Sequence, residues 1–236
     1  MKKADLLVAI LVILLCLPFF IFRQVYDFYH QVNAAHAYVV SFFKFAILAT
    51  FGESLGLRIK TGSYIQKGYG FLPRALVWGF LGIIINMGFV IFGTGAPKIP
   101  STLGITSVPS DILLQKGFSG IKLLGALSVG ITINLFFAPV FMAFHKIMEL
   151  HIIETKGTIR GFFSPISFGN HFAEMNWRIF WDFILKKTIP FFWIPAQTFI
   201  FLLPEEFRIL MAAIFSVILG VLLSVAGKKS VKQPSS

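Results

Sequence analysis

The chain has 236 residues, of which 56% are hydrophobic, 16% aromatic and only 13% charged, and its formal net charge is +11. Soluble domains are about 45–50% apolar and about 25% charged, so the composition excludes an ordinary water-soluble globule. The Lys and Arg residues lie in short stretches between apolar blocks, so the charge reads as a positive-inside pattern and not as a nucleic-acid surface.

The apolar blocks are close to the 17–25 or so residues needed to cross a bilayer. They predict an all-α fold: a polytopic transmembrane helical bundle with five to six membrane-embedded helices plus interfacial amphipathic helices. Residues 6–22 follow Met1-Lys2-Lys3 and end in Phe19-Phe20-Ile21-Phe22-Arg23 without a small-residue cleavage site, which predicts an uncleaved signal anchor. This block holds Cys16, the single cysteine, so no intramolecular disulfide can form. Residues 24–35 carry Tyr26, Asp27, Tyr29, His30 and Asn33, a composition suited to a short helix at the water interface. Residues 1–35 are therefore expected to form an N-terminal anchor unit, 36–227 the bundle, and 228–236 a disordered basic tail.

Within the bundle, the second block (37–57) has Lys44 near its centre and Glu53 near its end. A glycine-rich loop, 58–73, leads to the third block, 74–92, where Gly79, Gly82 and Gly88 predict close approach of a neighbouring helix. After a loop with three prolines comes the fourth block, 121–144, with Asn134 and a kink predicted at Ala138-Pro139. Residues 145–187 form the longest polar region. In its second part Trp177, Phe180, Trp181 and Ile184 fall at i, i+3, i+4 and i+7, with Arg178, Asp182, Lys186 and Lys187 on the other side. That pattern predicts an amphipathic helix over 177–185, lying in the interface plane. The fifth block, 188–203, is short for a span and either crosses or re-enters; the sixth is 207–226. With six spans, 15 of the 21 Lys and Arg residues fall on the side of the two termini, five on the other side, and Lys44 within a block. This bias places both termini in the cytoplasm.

Polar side chains within apolar blocks are functional candidates by default. Lys44, Glu53, Asn134, Gln197 and Arg208 are the candidates for lining a pore or the bundle interior. Each also has a structural reading. Lys44 could snorkel to one face, a Glu–Arg pair between helices would set packing, and Asn134 and Gln197 could hydrogen-bond between helices. His145 and Glu149 share a helical face, but His151 does not and no further His completes a set, so no metal site is expected. Glu205-Glu206-Phe207-Arg208 invites comparison with intramembrane prenyl-protein proteases, but no His follows position 171. Without a phosphate loop, nucleophile elbow or dinucleotide fingerprint, no catalytic residue and no cofactor is expected.

Several short motifs occur in a particular order: His36-Ala37 and Gly52-Glu53 at the two ends of the second block, Arg74 opening the third, Phe137-Ala138-Pro139 in the fourth, then Trp193, Pro195, Gln197, Phe201, Pro204 and Arg208, and finally Leu223-Ser224. In this the chain resembles the Mpv-seventeen and twenty-two-kilodalton peroxisomal membrane protein family over about residues 36–226. It departs from the family pattern at Ala37 (Pro in the family), Glu53 (Asp), Ile133-Asn134 (Asp-Gln), Ile200 (Asn) and Leu219-Gly220 (Trp-Asn), and the first apolar block is extra. The resemblance implies a four-span core, in a divergent bacterial member with an added anchor. It implies a bacterial cytoplasmic membrane, or alternatively an organelle membrane. Some relatives are reported to form poorly selective pores. The expected function is that of an integral membrane protein acting as a passive pore or channel for small solutes. The alternative is a non-conducting membrane scaffold or homeostasis protein without catalytic activity. The expected partners are the lipid bilayer and small solutes, with a homo-oligomer compatible and nucleic acid excluded.

Overall fold

The computed structural model describes residues 3–231, with side chains apart from Cys16 and residues 226–231. The described residues are helical with no strand. Five helices are long and apolar enough to cross a membrane: Lys3–Ile21, Ala37–Thr61, Phe71–Thr102, Gly120–Glu154 and Glu205–Val225. The chain divides into two compact units, Met1–Val40 and Ser41–Ser236, so the division falls a few residues after the expected boundary at 35.

The first unit holds α1 (Lys3–Ile21) and α2 (Arg23–Ala35). The most apolar stretch of α1 has no buried residue. α2 is amphipathic and packs back on α1, with the Phe19 and Tyr29 rings edge to face at 5.6 Å. Burial, and then the neighbouring Tyr26, push the Tyr29 phenol up to about 12.

The second unit is built on α3 (Ala37–Thr61, from Ser41 onward), α4 (Phe71–Gly95), a single 3-10 turn leading into α5 (Ile99–Thr102), α6 (Gly120–Thr132) and α7 (Ala138–Glu154). Short helices α8 (Ile159–Phe162), α9 (Phe168–Glu174) and α10 (Trp177–Ile179) follow, then α11 (Ile194–Leu202) and α12 (Glu205–Val231). α3 and α4 run antiparallel and very close. A Cβ on Gly82 would lie 2.6 Å from the Ser41 carbonyl oxygen, so only glycine admits this approach. Asn86 donates to the Ser41 hydroxyl at 2.8 Å across the same seam. α12 runs parallel to α3, with Gly52 against Val217 and Gly56 against Ser224. The core between these helices holds Phe45, Ala49, Ile85, Phe89, Ala126, Val129, Ile133, Ile200, Phe201 and Ala213.

The fourth apolar block continues ten residues past its expected end at 144. α6 and α7 form one continuous helix joined by a π-helical turn, Ile133–Phe137, in which the Ala138 N–H reaches back to the Ile133 carbonyl. Pro139 has no N–H to give, and the wider i→i+5 turn absorbs that loss. A π segment, Phe180–Trp193, containing Pro190, likewise joins α10 to α11. The helix expected over 177–185 and the fifth block are therefore one continuous helical run, 177–202, and not two elements; the hydropathy break at Lys186-Lys187 does not interrupt the backbone. This run traverses the bundle. Phe180 packs with Ile147 and Met175, Trp193 and Gln197 line a cavity shared with α3, and Phe201 packs on Phe89 and Gly93 towards the C-terminal end of α4. Residues 228–231, expected to open a disordered tail, are the helical end of α12; residues 232–236, where the rest of that expectation falls, and Met1-Lys2 at the start lie outside the described residues.

Candidate functional site

On α3, Phe45, Ala49, Gly52, Glu53, Gly56, Leu57 and Lys60 recur at three- and four-residue intervals and so share one face. That face lines a cavity of about 510 Å³. α4 contributes Arg74, Trp78, Ile85 and Phe89 to the wall; the π turn and α7 contribute Ile133, Asn134, Phe137, His145 and Glu149; Trp193, Gln197 and the face of α12 from Ala212 to Ser224 complete it.

The wall is graded. At one end lie Glu53, Lys60, Tyr69, Arg74, His145 and Glu149; at the other, Phe45, Ile85, Phe89 and Ile133. The charged end is tightly cross-linked. Arg74 Nη1 donates to Glu53 Oε2 at 2.7 Å, and Trp78 Nε1 donates to Glu53 Oε1 at 3.0 Å. His145 Nε2 stands 3.4 Å from the same Oε1, and the His145 and Trp78 rings are 4.5 Å apart. Arg74 also donates from Nε to the Tyr69 carbonyl at 2.9 Å, lies over the Tyr69 ring, and has Nη2 3.8 Å from Glu149, which is itself held by Lys146 at 2.8 Å. Burial first, then the Glu53 carboxylate, push the Tyr69 phenol above its ordinary range, so it stays neutral. Two loops close over this end where Gly70 and Gly157 meet. Both have positive φ (71° and 67°), and a Cβ on either would collide with the other's backbone.

Towards the apolar end are two neutral amides. Asn134 donates to the Gly130 carbonyl at 2.8 Å, while Gln197 Oε1 is buried with no hydrogen-bond partner among the described residues.

The five candidate residues separate. Glu53, Asn134 and Gln197 line this one cavity. Lys44 is buried and partnered but lies off the cavity wall, contrary to the pore-lining expectation. Nine residues at 100° each put it on the side of α3 opposite Glu53. Arg208 also lies off the wall. It donates to the Leu203 carbonyl at 3.2 Å and the Leu113 carbonyl at 2.8 Å, and stacks over Phe201, so it pins the 103–119 loop to the α11–α12 corner.

Of the short motifs, Gly52, Arg74, Phe137, Ala138, Trp193 and Gln197 reach the cavity, whereas Pro139, Pro195 and Pro204 shape helix starts and the α11–α12 corner. His36 ends α2, in the first unit. Trp78 is a site residue that the sequence reading does not single out, and His145, considered there only as a metal ligand, joins the Glu53 cluster; each sits a turn or so from a charged residue of the cavity wall. Comparison with protein-family models, with curated proteins and with solved structures finds no match to this chain.

Proposed function

We propose that the protein is an integral membrane protein whose bundle encloses a passive path for small, neutral, polar solutes, with its charged end facing the cytoplasm. The observation that carries this reading is the convergence of Glu53, Arg74, Asn134 and Gln197, from four separate stretches of chain, on one cavity. The cavity wall follows α3 from Phe45 to Lys60, about 22 Å at 1.5 Å per residue, against a hydrocarbon thickness of about 30 Å. Its volume falls within the range of small-molecule sites.

At its entrance Glu53 is paired with Arg74 and Glu149 with Lys146, with Lys60 beyond them, and the deeper polar groups are uncharged amides, so the interior of the path carries no fixed charge to select for either sign of ion. The unpartnered Gln197 carbonyl offers a solute or a water an acceptor where an unmet one costs about 1–3 kcal/mol. The buried rings of Phe45 and Phe89, with Ile85 and Ile133, form an apolar plug of the kind that gates by dewetting. Within the second unit α3, α6–α7 and α12 run one way and α4 and the 177–202 run the other, which supports five embedded segments there, with the end of α12 and the charged end of the cavity on one side. The Lys and Arg bias favours the cytoplasm for that side. The ordered motifs shared with the Mpv-seventeen family, some of whose members are reported as pores, lean the same way.

The test is flux of neutral polar solutes of graded size into proteoliposomes, comparing the wild type with an Asn134→Ala, Gln197→Ala double variant of unchanged circular dichroism. Wild-type flux whose size cutoff shifts in the variant supports the path. Inserted, folded protein with no flux above empty liposomes overturns it in favour of the non-conducting scaffold.

A further inference from the structure

Away from the cavity, the last turns of α7 bring His151 and Glu154 against His171 on α9, and one ligand-capable atom from each lies within 4.8 Å of the others. We propose that these three residues bind a zinc ion that clips the 155–176 connection to α7.

Both imidazoles are almost fully buried, His151 at 1% and His171 at 4% exposure. Buried histidines need partners for their ring nitrogens, and these have few. His151 Nε2 lies 3.2 Å from the Phe162 carbonyl oxygen. That oxygen only accepts, so Nε2 carries the proton and Nδ1 is left as a lone pair, buried and without a partner among the described residues. A ring N–H donated to a backbone carbonyl, with the other nitrogen free, is the arrangement that orients metal-ligating histidines. His171 Nε2 is 3.2 Å from Glu154 Oε2 but not aligned as a hydrogen bond. Two ligands of one tetrahedral zinc, each about 2.0–2.1 Å from the metal, stand about 3.3 Å apart. With Nε2 on the metal, His171 Nδ1 faces Glu174, 3.9 Å away, as the outer carboxylate.

Two imidazoles and one carboxylate suit zinc better than magnesium or calcium, which take oxygen ligands. The third ligand need only swing, since the Glu154 side chain is 61% exposed. Three protein ligands leave a fourth position for water. The site is independent of the cavity and of whether solutes pass through it.

The experiment uses the full chain without an affinity tag, stripped with chelator in detergent and titrated with Zn²⁺ against a chromophoric competitor. One Zn²⁺ per chain is expected, with no comparable Mg²⁺ binding, and slower amide hydrogen exchange over 155–176 in the zinc form. Losing a ligand should weaken binding by at least the 10–100-fold or so seen when an outer partner of a ligand is lost, in both Glu154→Ala and His171→Ala. Should His171→Ala fail to fold, Glu154→Ala at an exposed position still decides. Wild-type protein that takes up no Zn²⁺, or Glu154→Ala that binds it as tightly as wild type, overturns the proposal.

Discussion

The Arg74 guanidinium meets the Glu53 carboxylate at 2.7 Å, joining the start of α4 to the second half of α3, and Trp78 and His145 crowd the same carboxylate. Both side chains are largely shielded, at 11% and 22% exposure. Removing one partner of such a pair strands the other charge, while replacing both with apolar groups is often neutral. Arg74→Ala should therefore destabilise the protein by about 3 kcal/mol, the lower end of the range for buried pairs. Arg74→Met with Glu53→Gln should recover most of that loss. Thermal unfolding in detergent across the double-mutant cycle measures both.

The seam between α3 and α4 leads to a second expectation. Gly82→Val places new atoms against the Ser41 carbonyl and the Phe45 side chain. Overpacking of this kind costs about 1–3 kcal/mol. The same change at Gly95, where an added Cβ meets nothing within 4 Å, should be far milder. Melting temperatures of the two variants, side by side, check the difference.

Gln197 sets stability against transport. Gln197→Leu removes a buried carbonyl without a partner, and should raise stability by roughly 1 kcal/mol while lowering flux of polar solutes. Lys44→Met, off the cavity, should leave solute preference unchanged. Flux and melting measured on the same preparations test both statements; a Lys44→Met variant with altered solute preference would contradict the assigned wall.

Two tyrosines give an alkaline limit. Burial pushes the Tyr29 phenol from its ordinary 10.0 up to about 12, and burial raises Tyr69 as well. A phenol with a raised folded pKa contributes stability that is complete below pH 10 and lost as pH climbs towards the folded value. The Tyr29→Phe, Tyr69→Phe double variant should accordingly keep its melting temperature further into the pH 10–12 window than wild type does.

Much of this arrangement was legible in the chain. Gly79 and Gly82 signalled the tight seam because small residues at helical spacing have few other uses among bulky ones. Glu53 and Arg74, each near the end of an apolar block, invited pairing. The continuous 177–202 run was hidden, because Arg178, Asp182, Lys186 and Lys187 break the hydropathy while i→i+5 bonds carry the backbone past Pro190. Lys44 was a different case. Its nine-residue distance from Glu53 already put the two on opposite faces, and depth in the block outweighed that angle. The pairing of His151 with His171 depends on how the 155–170 connection turns back, which no local pattern encodes. For the same reason His145, one of three residues weighed as metal ligands, joins Glu53 instead.

The π-helical turn at 133–137 has one more consequence. A helix advances about 100° per residue, so rewinding the turn to regular α-helix with all five residues kept would swing everything beyond it by that angle. α6 would keep its place against α11, but His145 and Glu149 would leave the Glu53–Arg74 cluster, and His151 would turn away from His171. The turn works as a phase adjuster, letting one uninterrupted rod present one set of faces to its packing neighbours and a separately tuned set to its polar ones.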